Sequence, residues 1–229
     1  MSASPLPGLG APRLVLWRHG RTAWNAAGRF QGQLDPPLDA EGHREAAVAA
    51  AQLVATGMLS RDPVVVSSDL ERTVQTAQVL IGLLGVQLRV DARLREHGMG
   101  RWEGLTRDEV AERFPQQYAD WMSGRPVTGR GGEDPDAVAE RALDALADLP
   151  SAPVAVVVTH GGTAGRLLER LLGLGPDHRR VLGGLENCAW SEVAQQAGRW
   201  RLLRHNVRAA VVPSGNGVSA PATDADAVR

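Results

Sequence analysis

This sequence predicts an α/β fold: a three-layer sandwich with a mostly parallel central sheet. Two observations predict it. Three apolar, β-branched runs, RLVLW (13–17), PVVVSS (63–68) and APVAVVVTH (152–160), are continuous rather than alternating. That is the pattern of strands covered on both faces. Segments of helical periodicity separate the runs, and strand alternating with helix implies crossover connections and parallel pairing.

The elements follow in chain order. The first strand ends on Arg18, His19 and Gly20, and a helix spans 39–58. The second strand runs into the helical stretch 68–84. There Ser67, Ser68 or Asp69 can cap the helix, and Arg72 falls in its first turn. The segment VQLRVDARLRE (86–96) reads as a further strand leading into a loop that carries Glu96. Residues 97–132 are rich in Gly and Arg, with a helix inside 104–122, and read as a helical insertion over one end of the sheet. Helices at 133–149 and 161–173 flank the third apolar run. Residues 1–12 and 212–229 are rich in Pro, Gly, Ser and Ala and are expected to be disordered tails, leaving 13–211 as one domain.

Composition narrows the function. A formal net charge of −1 excludes a nucleic-acid partner bound by bulk charge, since no basic excess exists to displace counterions. Any anion must be held by a few placed residues. The single cysteine, Cys188, excludes an intrachain disulfide framework and a multi-cysteine zinc site, and its apolar context predicts a buried, inert thiol. The first residues lack a charged start followed by an apolar stretch, and no run approaches the roughly 18 apolar residues of a membrane span. The expectation is a cytoplasmic chain with no membrane partner.

In open α/β sheets, ligands sit beyond the carboxyl ends of parallel strands. Four such ends here carry Arg18-His19-Gly20, Arg72, Glu96 and His160-Gly161-Gly162. Each has an ordinary reading alone: a hydrogen-bonded structural histidine, a helix-surface pair of Arg72 with Asp69 or Glu71, a solvated loop glutamate. Together they place two histidines, two arginines and one carboxylate on one rim. That set fits phosphoryl transfer to histidine. A neutral imidazole is a nucleophile if its other nitrogen is held by an acceptor, and the Gly20 carbonyl is available for that. Guanidinium forks can clamp phosphoryl oxygens, and a carboxyl group can protonate a leaving alkoxide and then activate water. No Walker loop, HExxH or EF-hand pattern is present, and this chemistry needs no metal or cofactor.

The stretches RHGRTAWN, SSDLERTVQTA, REHGMGRWEG and VVVTHGGT, in that order, resemble the histidine phosphatase superfamily, with its phosphoglycerate-mutase-like fold. The resemblance extends from about Arg13 to His205. It implies that His19 is the phosphorylated nucleophile, that Arg18, Arg72 and His160 form the phosphate pocket, and that Glu96 is the proton donor. It adds Asn25, which matches an asparagine reaching the phosphoryl oxygens, and Gln31 in RFQGQLDPPL as a substrate contact. Gly161 could offer a backbone N–H at the start of the last helix, where the dipole favours anions. The stretch after Glu96 is similar to the E-x-x-x-G-x-W-E-G pattern of the phosphatase branch rather than the ERHYG-like stretch of the mutases, so water should take the phosphoryl group. FQGQLDPPL, LGGLENCAW and RWRLLRHNV resemble the glucosyl-3-phosphoglycerate phosphatase subfamily; broad-specificity and ribazole-type phosphatases share the core motifs. The implied partner is a phosphorylated small molecule, and the resemblance allows a homodimer.

Other residues carry weaker signals. His97 reads as a solvated or loop-packing side chain, and Glu133 as the cap of the helix that follows it, in preference to a contact with substrate or Arg72. Trp102, Trp121, Trp190 and Trp200 read as scaffold, with Trp102 placed to line a pocket. Arg125 and Arg130 in the insertion could attract an acidic substrate or be solvated, and Asn187 could orient a ligand.

Overall fold

The computed structural model describes residues 8–59, 61–175, 178 and 181–209. Six strands, β1 (Arg13–Arg18), β2 (Val64–Ser67), β3 (Leu88–Val90), β4 (Ala155–Thr159), β5 (Trp190–Gln196) and β6 (Arg199–Val207), form one sheet in the order β3-β2-β4-β1-β5-β6. The pairs β1/β4, β2/β4 and β2/β3 are parallel, while β5 and β6 join antiparallel at one side. The antiparallel pair escapes a search for continuous apolar runs because WSEVAQQ and RWRLLRHNV are rich in polar and charged residues. Their marker is the Ala197-Gly198 turn, where both residues have positive φ (49° and 73°), as a tight hairpin requires.

The helices are α1 (Ala23–Ala26), α2 (Ala40–Ala55), α3 (Glu71–Leu84), α4 (Arg107–Arg113), α5 (Pro115–Met122), α6 (Pro135–Ala147) and α7 (Gly161–Leu172). Strand side chains alternate faces, so each central strand feeds two cores. Val15, Trp17, Val65, Val156 and Val158 pack with the α2 and α3 side, and Leu14, Leu16, Val66 and Val157 with the α6 and α7 side. These residues are essentially inaccessible to solvent, which is why their runs show no polar alternation. The insertion has a separate small core built on Phe30, Met99, Trp102, Val110 and Trp121. Trp102 is fully buried there, with its indole N–H donated to Gln117, as scaffold rather than pocket wall. Among the described residues, no helix is long and apolar enough to cross a membrane.

Three local expectations are corrected. The α3 N-terminus is capped from afar: the Glu71 N–H donates to Asp35 Oδ1 at 2.7 Å, while Asp69 is taken by a two-bond pair with Arg95. Ser68 contributes only a long bond from the Leu70 N–H. Asp134, not Glu133, caps α6, accepting from the N–H groups of Asp136 and Ala137, because Glu133 is drawn away by Arg141. The packed chain also begins before Arg13. Ala11 is buried, the Gly10 carbonyl accepts from Ala152, and that of Pro12 from Gln195. Backbone donors at the strand edge need acceptors, and these residues supply them despite their composition. The other tail expectations, residues 1–7 and 212–229, lie outside the described residues.

Candidate active site

The parallel register of β1 and β4 creates the site. Arg18 lies opposite Thr159, so the residues that leave the sheet next are His19 and His160. The His19 N–H still donates to the Thr159 carbonyl at 3.1 Å, and the two imidazole rings stand 5.2 Å apart at 62°. Gly20 is required by close approach rather than by a sharp bend: a Cβ there would lie 2.5 Å from the Gly42 carbonyl oxygen at the start of α2. Its N–H donates to Thr76 Oγ1 on α3.

His19 Nδ1 lies 2.8 Å from the Gly20 carbonyl oxygen. That carbonyl can only accept, so Nδ1 carries the proton and the lone pair sits on Nε2. Burial, reinforced by the charges of Arg72 and then Arg18, holds the imidazole well below the usual histidine range, against the opposing Gly20 bond. The neutral imidazole with its lone pair on Nε2 is therefore the resting form at neutral pH. His160 is also fully buried, with its pKa well below the ordinary value through desolvation and then the charges of Arg72, His19 and Arg18. Among the described residues, neither of its ring nitrogens has a hydrogen-bond partner. Buried polar atoms are rarely left so, and an oxyanion between the imidazoles would supply the acceptor.

Both arginines are buried and fixed by backbone carbonyls. Arg18 Nη1 donates to Leu185 at 2.7 Å. Arg72 donates through Nη1 to Leu34 and through Nη2 to Gly32, with Asp35 at 3.8 Å. The loop 29–38 thus anchors the Arg72 fork.

Glu96 is a buried carboxylate seated at the N-terminus of α7. Oε1 accepts from the N–H groups of His97 (2.7 Å) and Thr163 (2.9 Å) and from the Thr163 hydroxyl, and Oε2 from the Gly162 N–H at 3.0 Å. The helix start beside His160 therefore orients the carboxylate, and Oε2, with one bond, keeps the most room for a further hydrogen bond. Gly162 is obligatory for this arrangement: a Cβ there would fall 2.6 Å from Oε1. Gly161 is buried as the first residue of α7, with His160 in the N-cap position.

Asn25 and Gln31 join the site through a polar cluster. Asn25 Oδ1 accepts from the Thr22 N–H, the Thr22 hydroxyl and Asn187 Nδ2, and the Thr22 hydroxyl also lies 3.0 Å from Gln31 Oε1. Asn187 Nδ2 reaches the His19 carbonyl as well, so it orients site residues. Cys188 packs in the α2 and α3 core, its thiol pushed up by burial.

A residue without a sequence signal, Arg141, supports the segment that carries the glutamate. Arg141 on α6 donates to the carbonyls of Arg93, Arg95 and Glu96 and forms two bonds to Glu133. Glu133 in turn accepts from the Gly98 N–H and Gln33. Burial raises the Glu133 carboxyl, but the bonds from Arg141 and Gly98 bring it below the usual carboxylate range. His97 packs into the loop with Nε2 2.9 Å from the Glu133 carbonyl. A cavity of about 290 Å³ adjoins the site under the insertion, with Glu96 and Gly162 on its wall together with Trp121, Arg125, Arg130 and Arg166. The described residues contain no cluster of three His, Cys, Asp or Glu side chains disposed to hold a metal.

The sequence matches the histidine phosphatase superfamily (branch 1) over residues 14–208. It is 38% identical over 222 residues to the glucosyl-3-phosphoglycerate phosphatase of Mycolicibacterium vanbaalenii, covering 87% of this chain and 96% of that one. A probable phosphoglycerate mutase of Yersinia enterocolitica is 36% identical over 193 residues, covering 82% of this chain and 87% of the relative. Among solved structures, a mycobacterial glucosyl-3-phosphoglycerate phosphatase complexed with VO3 superposes with a TM-score of 0.77 at 36% identity, covering 86% of this chain and 99% of that chain.

Proposed function

Since this chain belongs to the histidine phosphatase superfamily, branch 1, we propose that it hydrolyses glucosyl-3-phosphoglycerate through a phosphohistidine on Nε2 of His19. The observation that carries the chemistry is the Nδ1–H bond to Gly20 beside the paired imidazoles, which leaves Nε2 as a free lone pair in a desolvated, cationic setting.

The steps follow from the donors present. The Nε2 lone pair of His19 attacks phosphorus in line with the ester oxygen. Arg18, Arg72 and His160 hydrogen-bond the equatorial oxygens, supported by Asn25 and the helix start at Gly161, and hold the charge as the P–O bond breaks. Glu96 gives its proton to the departing alkoxide, which leaves as the alcohol. The resulting carboxylate takes a proton from water as its oxygen attacks phosphorus. The P–N bond breaks, inorganic phosphate leaves, and His19 and Glu96 return to their starting states. In this reading Gln31 acts on the substrate side of the Thr22 and Asn25 cluster. Every charge in the cycle is met by these side chains, so the reaction needs no cofactor.

The likeness to a glucosyl-3-phosphoglycerate phosphatase supports the substrate, and it extends over nearly the whole of that relative. The named mutase relative favours a second reading, net isomerisation of phosphoglycerate. Release of inorganic phosphate from glucosyl-3-phosphoglycerate, with little interconversion of 3-phosphoglycerate, is expected; isomerisation without free phosphate would overturn the proposal. His19→Ala should abolish turnover and covalent labelling by substrate phosphate. Retention of the rate would remove the phosphohistidine. A cytoplasmic homodimer is part of the same reading; light scattering and cell fractionation check it.

A further inference from the structure

Three arginines line the cavity beside Glu96, and their circumstances differ. Arg125 is 55% exposed at its side chain and pairs with Asp120. Arg166 pairs with Glu169 on its own helix. Arg130 is 5% exposed, and among the described residues no carboxylate lies within ion-pair distance of it. Its guanidinium carbon stands 5.2 Å over the Trp102 ring. Its Nη2 lies 3.2 Å from His97 Nε2, but that nitrogen faces the Glu133 carbonyl at 2.9 Å and so carries a proton there. Two N–H groups cannot bond each other, so His97 offers Arg130 no acceptor. Desolvation lowers the Arg130 pKa, and the charge of Glu103 only partly opposes this.

A buried guanidinium is ordinarily matched by an anion. Three carboxylates, Glu96, Glu133 and Asp134, line the same cavity. Glu133 is held by Arg141 and Asp134 caps α6, and if Glu96 protonates the leaving oxygen, the alcohol portion of the substrate must occupy this cavity. The volume, near the lower end of small-molecule sites, suits a polyol-sized group.

We propose that the cavity is the leaving-group subsite and that Arg130 pairs there with a carboxylate on the alcohol, selecting phosphomonoesters of hydroxy acids. The inference rests on the phosphatase reading, and glucosyl-3-phosphoglycerate carries such a carboxylate. Trp121 gives the subsite an apolar wall, and the Trp102 face holds the guanidinium in place.

Two substrates isolate the carboxylate: 3-phosphoglycerate and glycerol 3-phosphate differ only by carboxylate against hydroxymethyl. The wild-type enzyme should favour the former in kcat/KM. Arg130→Met should cut that preference by about 10–100-fold, the usual worth of a charge-assisted bond, chiefly through KM. Because the variant removes an unpaired buried charge, its Tm should hold or rise. Equal losses on both substrates, or a lowered Tm with the preference intact, would overturn the proposal by making Arg130 structural. Competitive inhibition of the wild type needs no variant: glycerate should inhibit far better than glycerol, and equal inhibition would again overturn it. If the wild type released phosphate from no phosphomonoester, the phosphatase reading itself would fail, a distinct outcome.

Discussion

Substituting Gly162 by Ala tests whether the start of α7 aims Glu96, the proposed proton donor. The new Cβ would sit 2.6 Å from Glu96 Oε1 and 3.3 Å from its Cδ, with His97 Cβ also at 3.3 Å. Ordinary contact begins near 3.4 Å, so the carboxylate must retreat by about 0.8 Å. That retreat breaks the bonds now at 3.0 Å from Gly162 and 2.9 Å from Thr163. A misplacement near 1 Å costs a positioned group roughly 10²-fold. Global stability should change little, because Ala gains up to about 1 kcal/mol over Gly in a helix and offsets part of the local clash. The assay compares an alkyl phosphate, whose alkoxide needs a proton, with p-nitrophenyl phosphate, whose phenolate leaves unaided. Alkyl phosphate kcat should fall about 100-fold and the aryl substrate far less, with Glu96→Gln giving the same pattern at about 10²–10⁴-fold. Equal losses on the two substrates, or wild-type kcat on the alkyl phosphate, would refute the reasoning.

The two buried histidines also make stability depend on pH. Both have folded pKa values well below 6.5, so the unfolded chain binds protons that the folded chain refuses. Their contribution is complete above pH 6.5 and is lost as pH falls below it, by up to about 2.7 kcal/mol per pH unit for the pair. Urea denaturation at pH 7.5, 6.0 and 5.0 should show that decline; half the slope would mean that one imidazole charges in the folded state, and a flat profile that both do. Arg141→Gln should lower stability by about 1–3 kcal/mol, because it strips Glu133 of its ion-pair partner and leaves the Arg93 carbonyl without a donor, while those of Arg95 and Glu96 keep Thr163 and Gln33. It should also slow alkyl phosphates more than aryl ones, which a purely structural residue would not do.

The contrast between the clear and the hidden parts of this site has a simple origin. Arg18, His19 and His160 end continuous apolar runs, and parallel pairing brings such ends to one rim, so local sequence already places them together. Arg72 and Glu96 follow because they stand at the ends of the neighbouring strands β2 and β3. The antiparallel strands β5 and β6 were less legible, since a partly exposed strand carries polar residues that blur the pattern. Glu133 shows the limit of local reasoning: its position before α6 suits a cap, yet a salt bridge from Arg141 outweighs that use. Arg125 and Arg130 show it best. Five residues apart in one Gly-rich segment, they are equivalent by sequence, but the tertiary fold leaves one in water beside Asp120 and buries the other against Trp102. Sequence alone determined which chemistry the sheet presents, because burial and strand order follow from local patterning. Only the tertiary structure decided which charges lose their water, because desolvation is set by the neighbours that distant segments bring.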